Sequence, residues 1–173
     1  RALTRHVGDA ADFETRLTGR RIDAVVRRGK FLWMPLGSAP DTTIGGPEAI
    51  VGHLGMSGQM LLRPSGTPML RHERVRLDVR HPDHGELAVV FVDQRTFGSL
   101  AIDHLDPSPD GAAGGHGSDI PLVPSQVAHI ARDPLDPAFD DSVFRASVGR
   151  TRSAIKRVLL DQTVLSGVGN IYA

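Results

Sequence analysis

Two short stretches carry residues that neither a core nor a solvated surface requires. In "HLGMSGQM", residues 53 to 60, Met56 and Ser57 stand between Gly55 and Gly58 at the end of an apolar, extended run. Glycines so placed permit a tight turn and close backbone approach. Methionine normally fills gaps in a core, so a Met on the tip of such a turn points to an apolar partner outside the fold. In "DQRTFG", residues 93 to 98, Arg95 and Phe97 are two apart and face the same way in extended backbone. Alone, they read as a salt-bridged arginine beside a core phenylalanine. Beside an outward Met56 they read as a wedge that enters a base stack, with the arginine answering the hydrogen bonds of the base left behind.

The cations cluster. Arg27, Arg28 and Lys30 surround Gly29; Arg71, His72, Arg74, Arg76 and Arg80 crowd one strand and its approach; Arg145, Arg150, Arg152, Lys156 and Arg157 lie towards the C-terminus. Solvated faces are the commoner fate of such groups. The acidic residues, however, fall largely elsewhere, in the first helix and at 103–110 and 133–141. A chain with 20 Lys+Arg against 20 Asp+Glu can therefore still present a positive groove to phosphates. "SGVGNIYA", residues 166 to 173, adds a glycine-rich turn whose backbone N–H groups suit an anion, a pattern shared by many helix–turn–helix joints.

These residues must be positioned by a chain of 173 residues, 40% hydrophobic and 23% charged, which is enough for one or two globular domains. The absence of Cys excludes a disulfide or a thiolate metal site within it. No apolar run is long enough to span a bilayer and no signal peptide is visible, so a soluble, cytoplasmic protein without a membrane partner is expected. The chain starts at Arg1 and stops in "LSGVGNIYA", at what reads as the start of a helix. It is therefore expected to be an internal part of something longer.

The periodicity predicts a β-rich part followed by a helical one. "AADFETRLTG" (10 to 19) reads as a helix capped by Asp9, with Phe13 and Leu17 on one face and Gly19 as its stop. "RRIDAVVRRGKFLWMPL" holds two β-type runs broken at Gly29, and "DTTIGGPEAI" a turn and then a strand into His53. "HERVRLDVR" alternates Val75, Leu77 and Val79 with polar residues, which predicts one buried and one wet face. "ELAVVFVD" is apolar on both faces, as a central strand would be, and "GSLAID" is one more strand. "LDPSPDGAAGGHGSDIPLVP" reads as a loop without periodicity. "SQVAHIARDPLDPAFD" starts as a short helix cut by Pro134 and Pro137. The last part is helical, with Ser153 as a cap and Ile155, Val158 and Leu159 sharing a face until Gly167 and Gly169 break it. Several short, turn-punctuated strands followed by helices give the class α+β, with a sandwich or barrel first.

"RRGKFLW", "HLGMSGQM", "DQRTFG" and "AIKRVLLDQTVLSGVGNIYA", in this order and spacing, resemble the formamidopyrimidine-DNA glycosylases, bacterial base-excision repair enzymes. The resemblance covers nearly the whole chain, including "HIARDPLDPAFD", and its wording is similar to actinobacterial members. It implies a two-sheet β-sandwich domain at 1–130, a hinge at 131–137, and a helical domain at 138–173 that holds the start of a helix-two-turn-helix motif. Double-stranded damaged DNA would lie in the basic cleft between them, bound by a monomer. Lys30 matches the lysine assigned as proton donor in β-elimination. His72 and Arg95 match DNA-contacting positions. Met56, Arg95 and Phe97 match the residues that fill the gap left by the everted nucleotide. Lys156 and Asn170 match phosphate-binding residues. Thr151 stands at a further DNA-contacting position that is lysine in many members, with Arg150 and Arg152 flanking it.

Two parts of the family pattern do not occur in these residues. One is the N-terminal Pro-Glu pair, whose proline amine attacks the sugar and forms a Schiff base. The other is a C-terminal four-cysteine zinc finger. The resemblance thus implies no cofactor in this chain and one zinc ion in the parent. The parent is expected to be a bifunctional DNA glycosylase/AP lyase acting on oxidised purines, 8-oxoguanine and formamidopyrimidines. The alternatives are a sister subfamily acting on oxidised pyrimidines and a non-catalytic damaged-DNA-binding module; the match of Met56, Arg95 and Phe97 disfavours the former. Residues 1 to 173 alone are expected not to excise 8-oxoguanine. Borohydride trapping on a lesion duplex checks this: no covalent adduct is the expected outcome, and an adduct would mean that Lys30 serves as a backup amine.

Overall fold

A computed structural model of the chain describes residues 2–38, 46–171 and 173. The turn expected in "DTTIGGPEAI" starts outside the described residues. Helix α1 (Ala10–Leu17) forms where its cap dictates: the Asp9 carboxylate accepts the Asp12 N–H at 2.9 Å, and Phe13 is the buried residue of its inner face. The strands follow as β1 (Val26–Arg28), β2 (Phe31–Leu36), β3 (Glu48–His53), β4 (Gln59–Pro64), β5 (Glu73–His81), β6 (Gly85–Val92), β7 (Ser99–Pro107) and β8 (Leu122–Pro124). Two short helices, α2 (Asp141–Arg150) and α3 (Ile155–Leu160), come last.

The strands make two antiparallel sheets, one ordered β1-β2-β3-β7-β8 and one ordered β4-β6-β5. This is the expected α+β, two-sheet arrangement, and β6 is central, as its two apolar faces require. The larger sheet is buried on both sides. Phe31 and Trp33 of β2, with Ala49 and Val51 of β3, pack on Val123, Val127 and Ile130. Met34 and Leu36, with Ile50, pack on Phe13, Phe91, Leu100 and Ile102. Alternation thus sends successive side chains of one strand into two cores. The buried Glu48 is matched by two arginines, Arg16 and Arg20, which bind its two carboxylate oxygens.

The structure corrects several expectations. The inner face of β5 is only half-buried, since Val75, Leu77 and Val79 all keep partial exposure on an edge strand. The short strand β8 emerges from a stretch expected to be loop, because Leu122–Pro124 pairs with Leu105–Pro107. Residues 125–130 form turns rather than the start of a helix. Asp103 accepts the Ser125 hydroxyl and the Gln126 N–H, and this one turn is too short to pass the helix-nucleation cost before the prolines. Ser153 does not cap α3. Its N–H is taken by the Thr151 hydroxyl at 3.2 Å, so the helix starts later, at an Ala154 cap with no side-chain bond. Of the face expected from Ile155, Val158 and Leu159, Val158 is buried and Leu159 partly so, while Ile155 is 59% exposed. No helix among the described residues is long and apolar enough to cross a membrane.

Candidate nucleic-acid interface

The centre of the site is a carboxylate. β6 delivers its last residues into the core, and Asp93 just after it is fully buried. Its Oδ1 accepts the Ser57 hydroxyl at 2.6 Å and the Arg95 N–H at 3.1 Å, and its Oδ2 accepts the Gly98 N–H at 2.8 Å. Its own N–H donates to the His72 carbonyl at 3.0 Å, and its carbonyl accepts Arg74 Nε at 2.8 Å. Burial pushes the Asp93 carboxyl up, but the hydrogen bonds from Ser57, Gly98, Arg95 and Thr96 outweigh it and hold the group below its ordinary value.

Those bonds tie two turns together. Gly55, at φ +64°, approaches so closely that a Cβ on it would lie 2.7 Å from the Gly98 nitrogen and 2.7 Å from the Phe97 carbonyl carbon. Thr96 sits at φ +56°, a left-handed conformation that a β-branched residue adopts only when held. The docked turns leave Met56 71% and Phe97 59% exposed, and the Arg95 guanidinium carbon is 5.1 Å from the Phe97 ring centre. The three expected wedge residues therefore stand on turns that meet backbone to backbone. His72, at φ +67°, borders them.

A second cluster forms where the turn between β1 and β2 meets the glycine-rich loop. A Cβ on Gly29 would lie 2.8 Å from the Ser166 Cβ. Lys30 Nζ donates to the Val168 carbonyl at 3.0 Å and lies against Gly169. Thr151, Lys156 and Asn170 are exposed on the same C-terminal part. Lys156 Nζ donates to the Ala173 carbonyl at 2.9 Å.

His53 belongs to this site and was not singled out from the sequence. It pairs with Phe31 across β2 and β3, and its ring lies 4.9 Å from the Phe31 ring. Its Nδ1 accepts the Gly55 N–H at 3.2 Å, which leaves Nε2 as the protonated nitrogen. Burial, with the charges of Arg5 and Lys30, depresses its pKa and keeps it neutral near pH 7. Its position directly before the Gly55 turn was the available signal.

The cation clusters divide. Arg28 is buried and donates to the Ile130 carbonyl; Arg27 pairs with Asp133 at 2.9 Å, Arg76 with Glu73 at 2.8 Å, Arg80 with Glu86 at 3.0 Å and Arg145 with Asp141 at 2.6 Å. Lys30, Arg71, Arg74, Arg95, Arg150, Arg152, Lys156 and Arg157 are exposed and have no carboxylate within ion-pair distance among the described residues. No group of three or more metal-ligating side chains occurs among the described residues.

The sequence pattern of the formamidopyrimidine-DNA glycosylase N-terminal domain matches residues 1–100, and that of the formamidopyrimidine-DNA glycosylase H2TH domain matches residues 130–173. The chain belongs to the formamidopyrimidine-DNA glycosylase family. It is 59% identical over 173 residues to the formamidopyrimidine-DNA glycosylase of Leifsonia xyli subsp. xyli, covering all of this chain and 56% of that protein. It is 49% identical to that of Streptomyces coelicolor, covering all of this chain and 53% of the relative. The chain thus spans about half the length of the curated relatives it matches. Among solved structures, the Lactococcus lactis FPG (MutM) bound to FAPY-dG-containing DNA has a TM-score of 0.66 at 23% identity, over 98% of this chain and 55% of that one. MutM in complex with DNA containing carbocyclic 8-oxo-G has a TM-score of 0.63 at 23% identity, over 94% and 52%. At that identity the likeness concerns the fold of these glycosylases.

The Asp93 network yields a pH-dependent expectation. Asp93→Asn in the whole protein replaces an all-acceptor group with an amide that must turn a donor towards a donor, costing about 2 kcal/mol. The folded pKa is depressed, so the contribution is fully present above the unfolded value of roughly 3.9 and is lost as pH falls through the folded one. Urea unfolding should show a constant gap between wild type and variant from neutral pH down to mildly acidic pH, closing in strong acid.

Proposed function

We propose that the whole protein is a bifunctional DNA glycosylase/AP lyase that excises oxidised purines, 8-oxoguanine and formamidopyrimidines, from double-stranded DNA and cleaves the resulting abasic site. The observation that carries this reading is the pair of exposed apolar side chains, Met56 and Phe97, on turns locked by one buried carboxylate. Fixed apolar groups are what opening a base stack needs, because the unstacking cost is offset at the moment of insertion and little ordering remains to be done. Arg95, stacked on Phe97, supplies N–H donors to the base left without its partner. The names of the curated relatives and the lesion DNA held by the structural neighbours support the substrate class.

In this reading residues 1–130 form one wall of the DNA cleft and residues 138–173 the other, joined by 131–137. Lys30 donates a proton in β-elimination; one of its three N–H groups is held by Val168, which leaves two for the reacting strand. His72, Arg95, Lys156 and Asn170 grip the backbone around the lesion. The charge that lysine would bring at Thr151 is supplied by Arg150 or Arg152, which flank it and are exposed. The protein works as a cytoplasmic monomer. A four-cysteine zinc finger in the whole protein takes none of its ligands from these residues, which include no Cys.

Met56→Ala and Phe97→Ala in the whole protein are expected to slow lesion excision about tenfold, or roughly 1.4 kcal/mol, and to leave affinity for a ready-made abasic duplex nearly unchanged. Single-turnover excision and abasic-duplex binding measured side by side decide it: equal losses on both substrates would return these residues to a structural role.

Salt dependence tests the phosphate grip. Each phosphate neutralised by a cation contributes about 0.9 to the log–log salt slope. Lys156→Ala should therefore flatten the slope by about one unit and weaken all duplexes alike. Asn170→Ala should weaken binding with little change in slope, because its amide is neutral. An unchanged slope in Lys156→Ala would remove that lysine from the interface.

A further inference from the structure

Residues 130–136 have no regular secondary structure, yet they are bound on two sides. On one side, the buried Arg132 side chain reaches back to the sandwich. Its Nε and Nη2 make a two-pronged pair with Asp110, at 2.7 and 2.8 Å, and its Nη1 donates to the Ala113 carbonyl at 2.7 Å. The same Nη1 meets Asp136 at 2.9 Å, which closes the segment on itself. Asp133, also buried, pairs with Arg27 of β1 at 2.9 Å. On the other side, the backbone faces the helical part. The Ala131 N–H donates to the Gln162 carbonyl at 2.9 Å, and the Arg132 carbonyl accepts the Ser166 N–H. Ser166 is the residue against which Gly29 packs, one position from Lys30.

Arg132 therefore bonds to the sandwich through its side chain and to the glycine-rich loop through its backbone. A planar guanidinium with both prongs on one carboxylate fixes orientation as well as distance. Asp110 is itself held by the Ser108 hydroxyl at 3.0 Å and the Ala112 N–H at 3.1 Å, so the anchor is not free to follow. Its carboxyl lies well below the usual range, chiefly through Arg132, and stays charged at any pH at which the protein works.

We propose that Arg132 is a positioning residue, which makes 130–136 a strut that presets the orientation of the helical part on the sandwich, and with it the contact of Lys30 with the Gly167–Asn170 loop, before DNA arrives. This rests on the reading that DNA is bound across the sandwich and the helical part together. A preset orientation spares the binding penalty of a protein whose competent arrangement is a minor population. Neither Arg132 nor Asp110 bonds to Lys30 or to the turns of Met56, Arg95 and Phe97, so their loss acts through geometry alone.

The test uses the whole protein with spin labels on non-canonical amino acids at two exposed sites, Leu62 in β4 and Gly149 in α2. Wild type should give one narrow distance distribution that a lesion duplex leaves unchanged. Arg132→Leu should broaden it roughly twofold and narrow again on DNA. Arg132→Lys, which keeps the charge and loses the fork, should fall between. Should Arg132→Leu fail to fold by circular dichroism, Asp110→Ala carries the same expectation. Affinity for the lesion duplex should weaken about tenfold in the broadened variant, while the single-turnover rate of the bound complex stays within about twofold. Distributions in Arg132→Leu and Asp110→Ala as narrow as wild type would overturn the inference, as would a slower bound step at unchanged affinity. The distances are read in the free protein, so a failure to bind or excise lesions sinks the functional reading without mimicking either result.

Discussion

One buried carboxylate sets what the surface of this molecule can do. Asp93 has no exposure to water and could not stay ionised there alone; the donors that keep it charged come from the two turns that carry Met56, Arg95 and Phe97. The dependence is mutual. Without the carboxylate, the Gly98 and Arg95 amides would be left without that acceptor, and the left-handed backbone at Thr96 would lose what holds it. Two turns distant in sequence are thereby bonded to one buried group at the end of β6. Met56 and Phe97 stand exposed on these bonded turns rather than folded away.

The larger sheet makes this possible by being buried on both faces. One core, around Phe91, Leu100 and Ile102, lies beneath the strands that lead into the wedge turns. The other, around Trp33, Val123 and Ile130, carries the chain from the sandwich towards the connector. β2 contributes to both, and Lys30 stands at its start. The lysine, the wedge and the glycine-rich loop are thus referred to one rigid sheet, although they lie far apart in sequence. His53 is the point of closest overlap: it ends β3, stacks near Phe31, and accepts the N–H of the wedge glycine.

Charge is handled differently inside and outside. Arg28 and Arg132 are buried beside Asp110 and Asp136, and Arg16 and Arg20 close on Glu48. These groups hold segments in place, because removing one partner would strand the other in a dry site. The exposed cations without carboxylate partners among the described residues lie on the surface instead. Zero net charge is thus compatible with cations left unpaired, because several acids pair with arginines inside the fold.

The sequence by itself determined the local elements. The Asp9 cap, the alternation of β5, the two-faced apolar run of β6 and the turn glycines are local signals, and each produced its element. The oddity of an outward Met56 was legible because residue type and turn chemistry conflict at that position. Only the tertiary structure decided which cations remain free, since Arg27, Arg28 and Arg132 find partners about a hundred residues away or across a loop. It also decided that Ile155 stays exposed and that residues 125–130 do not become a helix, because burial and competing side-chain bonds override weak propensity over so few residues. Nothing in periodicity could place Lys30 on Val168 or make Asp93 the common acceptor of two turns; both are contacts between distant segments, and it is the packing of the sheets that brings them together.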